Sequence, residues 1–178
     1  MDSEKIVLRE WNLSDAPGVA EYANNPRIAS QLRDGFPHPY TIRDANNFIQ
    51  SALVKDASAR LFAIDLNGEA IGSIGAMFKE DIYRLNVEIG YWLAEDFWGR
   101  GIATSAISLI TRWIFENNND IERIYAEPFA DNHGSCRALE KAGYTHEATF
   151  KHNVIKNGII KNSLIYSLLR SAYLKNLS

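Results

Sequence analysis

The chain has 178 residues, 19 basic against 22 acidic side chains, a formal charge of -3, a single cysteine and 46% apolar residues. That length suits one domain with a substantial core, expected here over 1–178, and is short for two. The charge gives no general attraction to nucleic acid or to an anionic membrane, one cysteine makes neither an internal disulfide nor a cysteine-based zinc site, and Met1 to Glu10 is charged where a signal peptide is apolar, so a cytoplasmic protein without a membrane span is expected.

In chain order, residues 5–10 read as a first strand: Lys5-Ile6-Val7-Leu8-Arg9-Glu10, a short apolar run bounded by charge. Ser14 or Asp15 is expected to cap a helix with Pro17 in its first turn, fading near Asn24-Asn25-Pro26. Residues 26–40 carry Pro26, Gly35, Pro37 and Pro39 and are expected to form a loop without regular structure, leaving Phe36 and Tyr40 free to line a site. Thr41 with Asp44 resembles a capping box, and Ala45, Phe48, Ile49, Ala52 and Leu53 follow at helical spacing.

Residues 61–66 and 69–77 read as strands joined by a tight turn at Asn67-Gly68, where positive φ is tolerated. Gly72 and Gly75 in the return strand point to a bulge or to close approach by another group. Residues 87–93 make a third strand, antiparallel to the second. The period then changes: Ala106, Ile107, Leu109, Ile110, Trp113 and Ile114 cover one face of a helix over 104–117, with Arg112 and Glu116 paired outside it. A strand over 121–129, a short helix capped by Asp131 or Asn132 and ended near Gly143, and a hairpin of residues 144–154 and 159–170 through Asn157-Gly158 complete the domain.

The most informative segment is Trp98-Gly99-Arg100-Gly101-Ile102-Ala103-Thr104, between a strand and an amphipathic helix. Alternate glycines let the backbone turn sharply and approach a ligand, and the helix start leaves amides unpaired. Such a concavity prefers an anion, a phosphate above all. Arg100 either adds a phosphate contact or lies in solvent. A nucleotide P-loop needs Lys followed by Ser or Thr after its last glycine, and a dinucleotide fingerprint needs a third small residue; neither is present.

These residues, with the segment Asn132 to Tyr144, resemble the GNAT superfamily of acyl-CoA-dependent N-acetyltransferases, in its branch of ribosomal-protein N-terminal alanine and serine acetyltransferases. The family pattern, Gln or Arg, two free positions, Gly, one free position, then Gly or Ala, falls on Trp98, Gly101 and Ala103; Trp98 departs from Gln or Arg. The resemblance spans nearly the whole chain. It implies an α/β fold with a mixed, mostly antiparallel sheet, flanking helices and a cleft between splayed strands that map to 87–93 and 121–129. It also implies acetyl-CoA as cofactor, with pyrophosphate at the amides of Gly99, Arg100, Gly101, Ile102, Ala103 and Thr104 beside Trp98. Asn132 is expected to touch the cofactor, to cap a helix, or to do both.

Acetyl transfer to nitrogen requires a neutral amine: at pH 7 an α-amine with a pKa of about 7.8 is roughly one-tenth neutral, a lysine far less. Glu88 is the leading candidate for a base or water-positioning group, with a binding or structural role as the alternative, and Glu127 is the runner-up. By resemblance, Ser135 stabilises or protonates the leaving thiolate; as a first-turn residue it also suits capping. Phe36, Tyr40 and Tyr91 are assigned to the acceptor. Cys136 lacks a partner base and the four histidines form no ligand pattern, so direct transfer in a ternary complex is expected, and no metal. The expected acceptor is a primary amine, with a protein or peptide N-terminus closest; an aminoglycoside, a polyamine, or a silent CoA- or peptide-binding module are the alternatives. Ile159, Ile160, Leu164, Ile165 and Leu168 in the last hairpin suggest a homodimer.

Overall fold

A computed structural model describes residues 6–54 and 58–176; Lys5 of the first expected strand lies outside the described residues. Strands β1 (Ile6–Arg9), β2 (Ala59–Leu66), β3 (Glu69–Phe78), β4 (Asn86–Leu93), β5 (Arg123–Ala126), β6 (Thr145–Lys156) and β7 (Ile159–Leu169) form one sheet in the order β1-β2-β3-β4-β5-β7-β6. Every neighbouring pair is antiparallel except β4 and β5. Both short hairpins turn as their sequences dictate: Asn67 and Gly68 have φ of 55° and 91°, Asn157 and Gly158 of 51° and 76°.

Strand alternation divides the core into two layers. On one face Ile64, Leu66, Ile71, Val87 and Ile89 pack against α4 (Ile102–Asn117). Ile107, Ile110 and Ile114 of α4 are all completely buried, and burying each contributes about 1.5–3 kcal/mol. On the opposite face Ala63, Ala70 and Trp92 meet Val19 of α1 (Ala16–Ala23) and Ala45 and Ile49 of α3 (Ile42–Leu53). Thr41 and Asp44 close the expected capping box on α3. Gly72 is required by close approach: a Cβ there would stand 2.4 Å from the Trp92 carbonyl oxygen.

Four expectations need correction. Asp15 holds the expected N-cap position of the helix Ala16–Ala23 but its side chain makes no capping bond there; it accepts instead from Asn12 N at 2.9 Å, closing a capping box in which Asn12 caps the preceding 3-10 turn Leu13–Asp15. Residues 26–40 are not wholly irregular, because Asn25 accepts from Arg27 N and Pro26 starts the short helix α2 (Pro26–Ala29). Helix α4 begins at Ile102, two residues before the expected start, since Gly101 itself is its N-cap. The strand expected over 121–129 is confined to β5, and this shortening opens the sheet. Of the last hairpin, Ile165 and Leu168 are core residues, 6% and 5% exposed, whereas Ile159 and Ile160 are 62% and 63% exposed.

Helix α5 (His133–Lys141) follows β5, and α6 (Arg170–Lys175) ends the described chain. No helix among the described residues is long and apolar enough to cross a membrane.

Candidate active site

The parallel pair is short. β4 and β5 match Asn86 with Arg123, Val87 with Ile124 and Glu88 with Tyr125, and pairing stops there although β4 continues to Leu93. The strands separate beyond that point and leave backbone groups of β4 facing a gap. Two cavities of about 520 Å³ each open at this split, and Gln31, Leu32, Tyr91, Trp92, Asn132 and Ser135 belong to the walls of both.

The first cavity ends at the glycine turn. Gly99 and Gly101 have φ of 76° and 81°, and a Cβ at either would meet nothing within 4 Å. No side chain caps the first turn of α4, so its leading amides lack intrahelical acceptors. Trp98, Gly99, Gly101, Ile102, Ala103 and Thr104 line the cavity, with Arg137 and Lys141 of α5 also in its wall. A phosphate-bearing ligand fits this donor set: open space at two glycines, a helix N-terminus and two cations. Trp98 is anchored by a bond from Nε1 to Leu93 O at 2.8 Å. Arg100 does not line the cavity; its guanidinium stands 5.2 Å from the centre of the Phe97 ring.

At the junction, Asn132 caps α5 by accepting from Ser135 N at 3.1 Å while also lining both cavities. Ser135 Oγ and the Tyr91 hydroxyl are 2.7 Å apart. Burial pushes the Tyr91 phenol well above its ordinary value, with the Ser135 bond working in the opposite direction. Burial also raises the Cys136 thiol, which suppresses the thiolate a covalent mechanism would need.

The second cavity is lined by Phe36 and Tyr40 as well as Glu88 and Glu127. The Phe36 and Tyr40 rings lie 4.9 Å apart, and Phe36 also meets Trp92 edge-on at 5.9 Å. Tyr40 is only 6% exposed and so packs the core as well as the cleft. The two carboxylates differ. Glu88 is buried, with Oε1 paired to Arg33 and Oε2 to Lys79 Nζ at 2.7 Å. Burial works to raise its pKa, but Lys79 and Arg33 outweigh burial and hold the carboxyl below the usual range. Glu127 instead accepts from the neutral donors Ser163 Oγ and Asn153 Nδ2 at 2.7 and 3.0 Å.

Sequence reasoning missed Arg33, Lys79, Arg137, Lys141, Asn153 and Ser163. Arg137 and Lys141 had a readable signal: at four-residue spacing they share a helix face with Gly134 and Ala138, which line the same cavity. The others reach the site from distant segments and carried none.

Comparison with known proteins agrees with this architecture. The putative ribosomal N-acetyltransferase YdaF of Bacillus subtilis (strain 168) is 27% identical over 183 residues, covering 94% of this chain and 93% of that protein. The structure of the ribosomal L7/L12 α-N-protein acetyltransferase RimL with coenzyme A superposes with a TM-score of 0.84 at 22% identity, over 96% of this chain and 97% of that one. AAC(6')-Ib with ribostamycin and coenzyme A gives 0.78 at 22% identity, over 98% of each chain. The sequence pattern of the acetyltransferase (GNAT) domain matches residues 5–145, and the chain belongs to that family of N-acetyltransferases.

Proposed function

We propose that this protein transfers the acetyl group of acetyl-CoA to the N-terminal amine of a protein or peptide, directly, in a ternary complex. The observation that carries the reading is the meeting of a phosphate-suited cavity and a carboxylate-lined cavity at Tyr91 and Ser135. RimL and AAC(6')-Ib were solved with coenzyme A, and the glycine turn here fits its pyrophosphate. Acetyl-CoA supplies the activated thioester.

The residues of this chain then divide the work. Amides at Gly99 to Thr104 hold phosphate, and Arg137 and Lys141 add positive charge to the same cavity. The splayed edge of β4 offers peptide groups to the amides of pantetheine and to the thioester oxygen. Glu127 accepts the proton of the incoming ammonium, freeing the lone pair that forms the new C–N bond as the C–S bond breaks. The Tyr91–Ser135 pair gives a hydrogen bond and then a proton to the departing sulfur and is restored by the proton released from the new amide nitrogen, while Glu127 passes the proton it took to solvent. Glu88 serves as an electrostatic anchor, because a carboxylate with a cation on each oxygen must break both pairs to take up a proton.

A small-amine acceptor is the second reading, favoured by the likeness to AAC(6')-Ib and by 23% identity over 172 residues to the spermidine N(1)-acetyltransferase of Escherichia coli (strain K12). The deciding experiment offers acetyl-CoA with a peptide starting in serine or alanine, an N-blocked lysine peptide, spermidine and ribostamycin, and reads product mass. Acetylation of the free N-terminus alone is expected. Preference for spermidine or ribostamycin moves the protein to the second reading, and no product from any of them sinks both.

A further inference from the structure

Glu127 directly follows β5 and is fastened to the last hairpin by bonds outside the regular ladders. Leu164 N donates to Pro128 O and Ala130 N to Asn162 O, both at 2.9 Å, and Phe129 forms an isolated bridge with Ser163. On the other side of β7, pairing with β6 jumps from Phe150–Ser163 to Val154–Lys161, so residues 151–153 bulge against the single residue Asn162. A bulge bends a strand and re-aims its side chains. This one includes His152 at φ of 51°, a conformation that costs about 1 kcal/mol or more for a residue with a Cβ. Asn162 Oδ1 secures it by accepting from His152 N at 2.9 Å.

The bulge delivers Asn153 to Glu127. Asn153 Nδ2 donates to Glu127 Oε1 at 3.0 Å and to Ser163 Oγ at 2.8 Å, while Ser163 Oγ donates to the same carboxylate oxygen at 2.7 Å. Ser163 is completely buried. The three side chains close a ring in which Oε1 takes both bonds, and among the described residues no side chain bonds Oε2. Lysine or arginine in these places would clamp the carboxylate as Lys79 and Arg33 clamp Glu88. Neutral donors fix its direction without supplying a counter-charge that the substrate must displace.

We propose that Asn153 and Ser163 are positioning residues that tether Oε1 of Glu127 and leave Oε2 for the acceptor amine. The proposal rests on the reading of Glu127 as the proton acceptor. Held from one side, the carboxylate no longer samples the rotamers open to a free strand-end glutamate, and ordering it in advance removes that cost from the reaction. It also explains why a strained bulge occurs at this point of β6.

The test is a double-mutant cycle on kcat, run with whichever acceptor of the panel above is acetylated. Asn153→Ala lowers kcat about tenfold in the otherwise native protein, the worth of one hydrogen bond to a charged group. In the Glu127→Gln background the same change alters kcat by less than about twofold, because the residue acts through the group already removed. Asn153→Asp, which sets a like charge beside Glu127, costs more than Asn153→Ala, and KM for acetyl-CoA stays constant throughout. Asn153 is exposed, so these variants fold; Ser163→Ala is compared only after its thermal midpoint is checked. Equal losses in both backgrounds, or none in either, overturn the proposal and leave Glu127 in its role. Full turnover by Glu127→Gln overturns both, as does failure to acetylate any acceptor.

Discussion

The Tyr91 hydroxyl of β4 stands 2.7 Å from Ser135 Oγ in the first turn of α5, on the wall shared by both cavities. Burial keeps the phenol protonated, so the pair has a proton to offer at neutral pH. Removing it by Tyr91→Phe or Ser135→Ala is expected to lower kcat by about a hundredfold with little change in acetyl-CoA affinity. The double variant should lose little more than the worse single one, since the hydroxyls act as a unit. Steady-state kinetics with calorimetry of CoA binding checks this, and independent, multiplicative losses would break the coupling.

Gly101 adopts φ of 81° and opens onto the first cavity. Gly101→Ala adds a Cβ where phosphate is expected and places an L-residue in the left-handed region, which costs about 1–2 kcal/mol. The expected outcome is a rise of at least tenfold in KM for acetyl-CoA, kcat nearly unchanged and a slightly lower thermal midpoint. An unchanged KM would remove phosphate from this turn.

Glu88 gives a stability signature in acid. Its folded pKa lies below the ordinary 4.5 because Lys79 and Arg33 outweigh burial. The carboxylate therefore contributes stability that is whole above about pH 5 and is lost as pH falls through 4.5 towards and past the folded value. In Glu88→Gln the acid limb of a melting-temperature profile should flatten over that range, with lower stability at neutral pH because Lys79 is left without its anion. Parallel profiles for the two proteins would contradict the pairing.

Gly72 faces the Trp92 carbonyl, and an added Cβ would come within 2.4 Å of it. Backbone cannot yield as a side-chain tip does. Gly72→Ala is expected to cost about 1–3 kcal/mol, several degrees of melting temperature in a domain of this size. Gly18→Ala, whose Cβ meets nothing within 4 Å, is the matched control in α1 and should be neutral or slightly stabilising.

Local chemistry made much of the fold readable. The Thr41–Asp44 capping box, the two Asn-Gly hairpin turns and the glycine pair before α4 are all decided by a few adjacent residues. The Asn25-Pro26 signature of α2 was equally local but was outweighed by the prolines that follow it. The site was legible where its groups lie in one stretch, as from Trp98 to Thr104. It was illegible where chemistry depends on distant partners: Glu88 meets Arg33 across 55 positions and Glu127 meets Ser163 across 36. Periodicity placed both glutamates at strand positions, yet only tertiary contact reveals that one is clamped by cations and the other by amide and hydroxyl.

The brief parallel run of β4 and β5, ending at Glu88 and Tyr125, has an evolutionary corollary. A groove walled by peptide bonds imposes few demands on the amino acids that build it, so lineages can drift far apart in composition and still accommodate one common donor. On the proposed reading, choice of recipient rests instead on individual side chains of the opposite chamber, Phe36, Tyr40 and Glu127 among them, and can change independently of that groove.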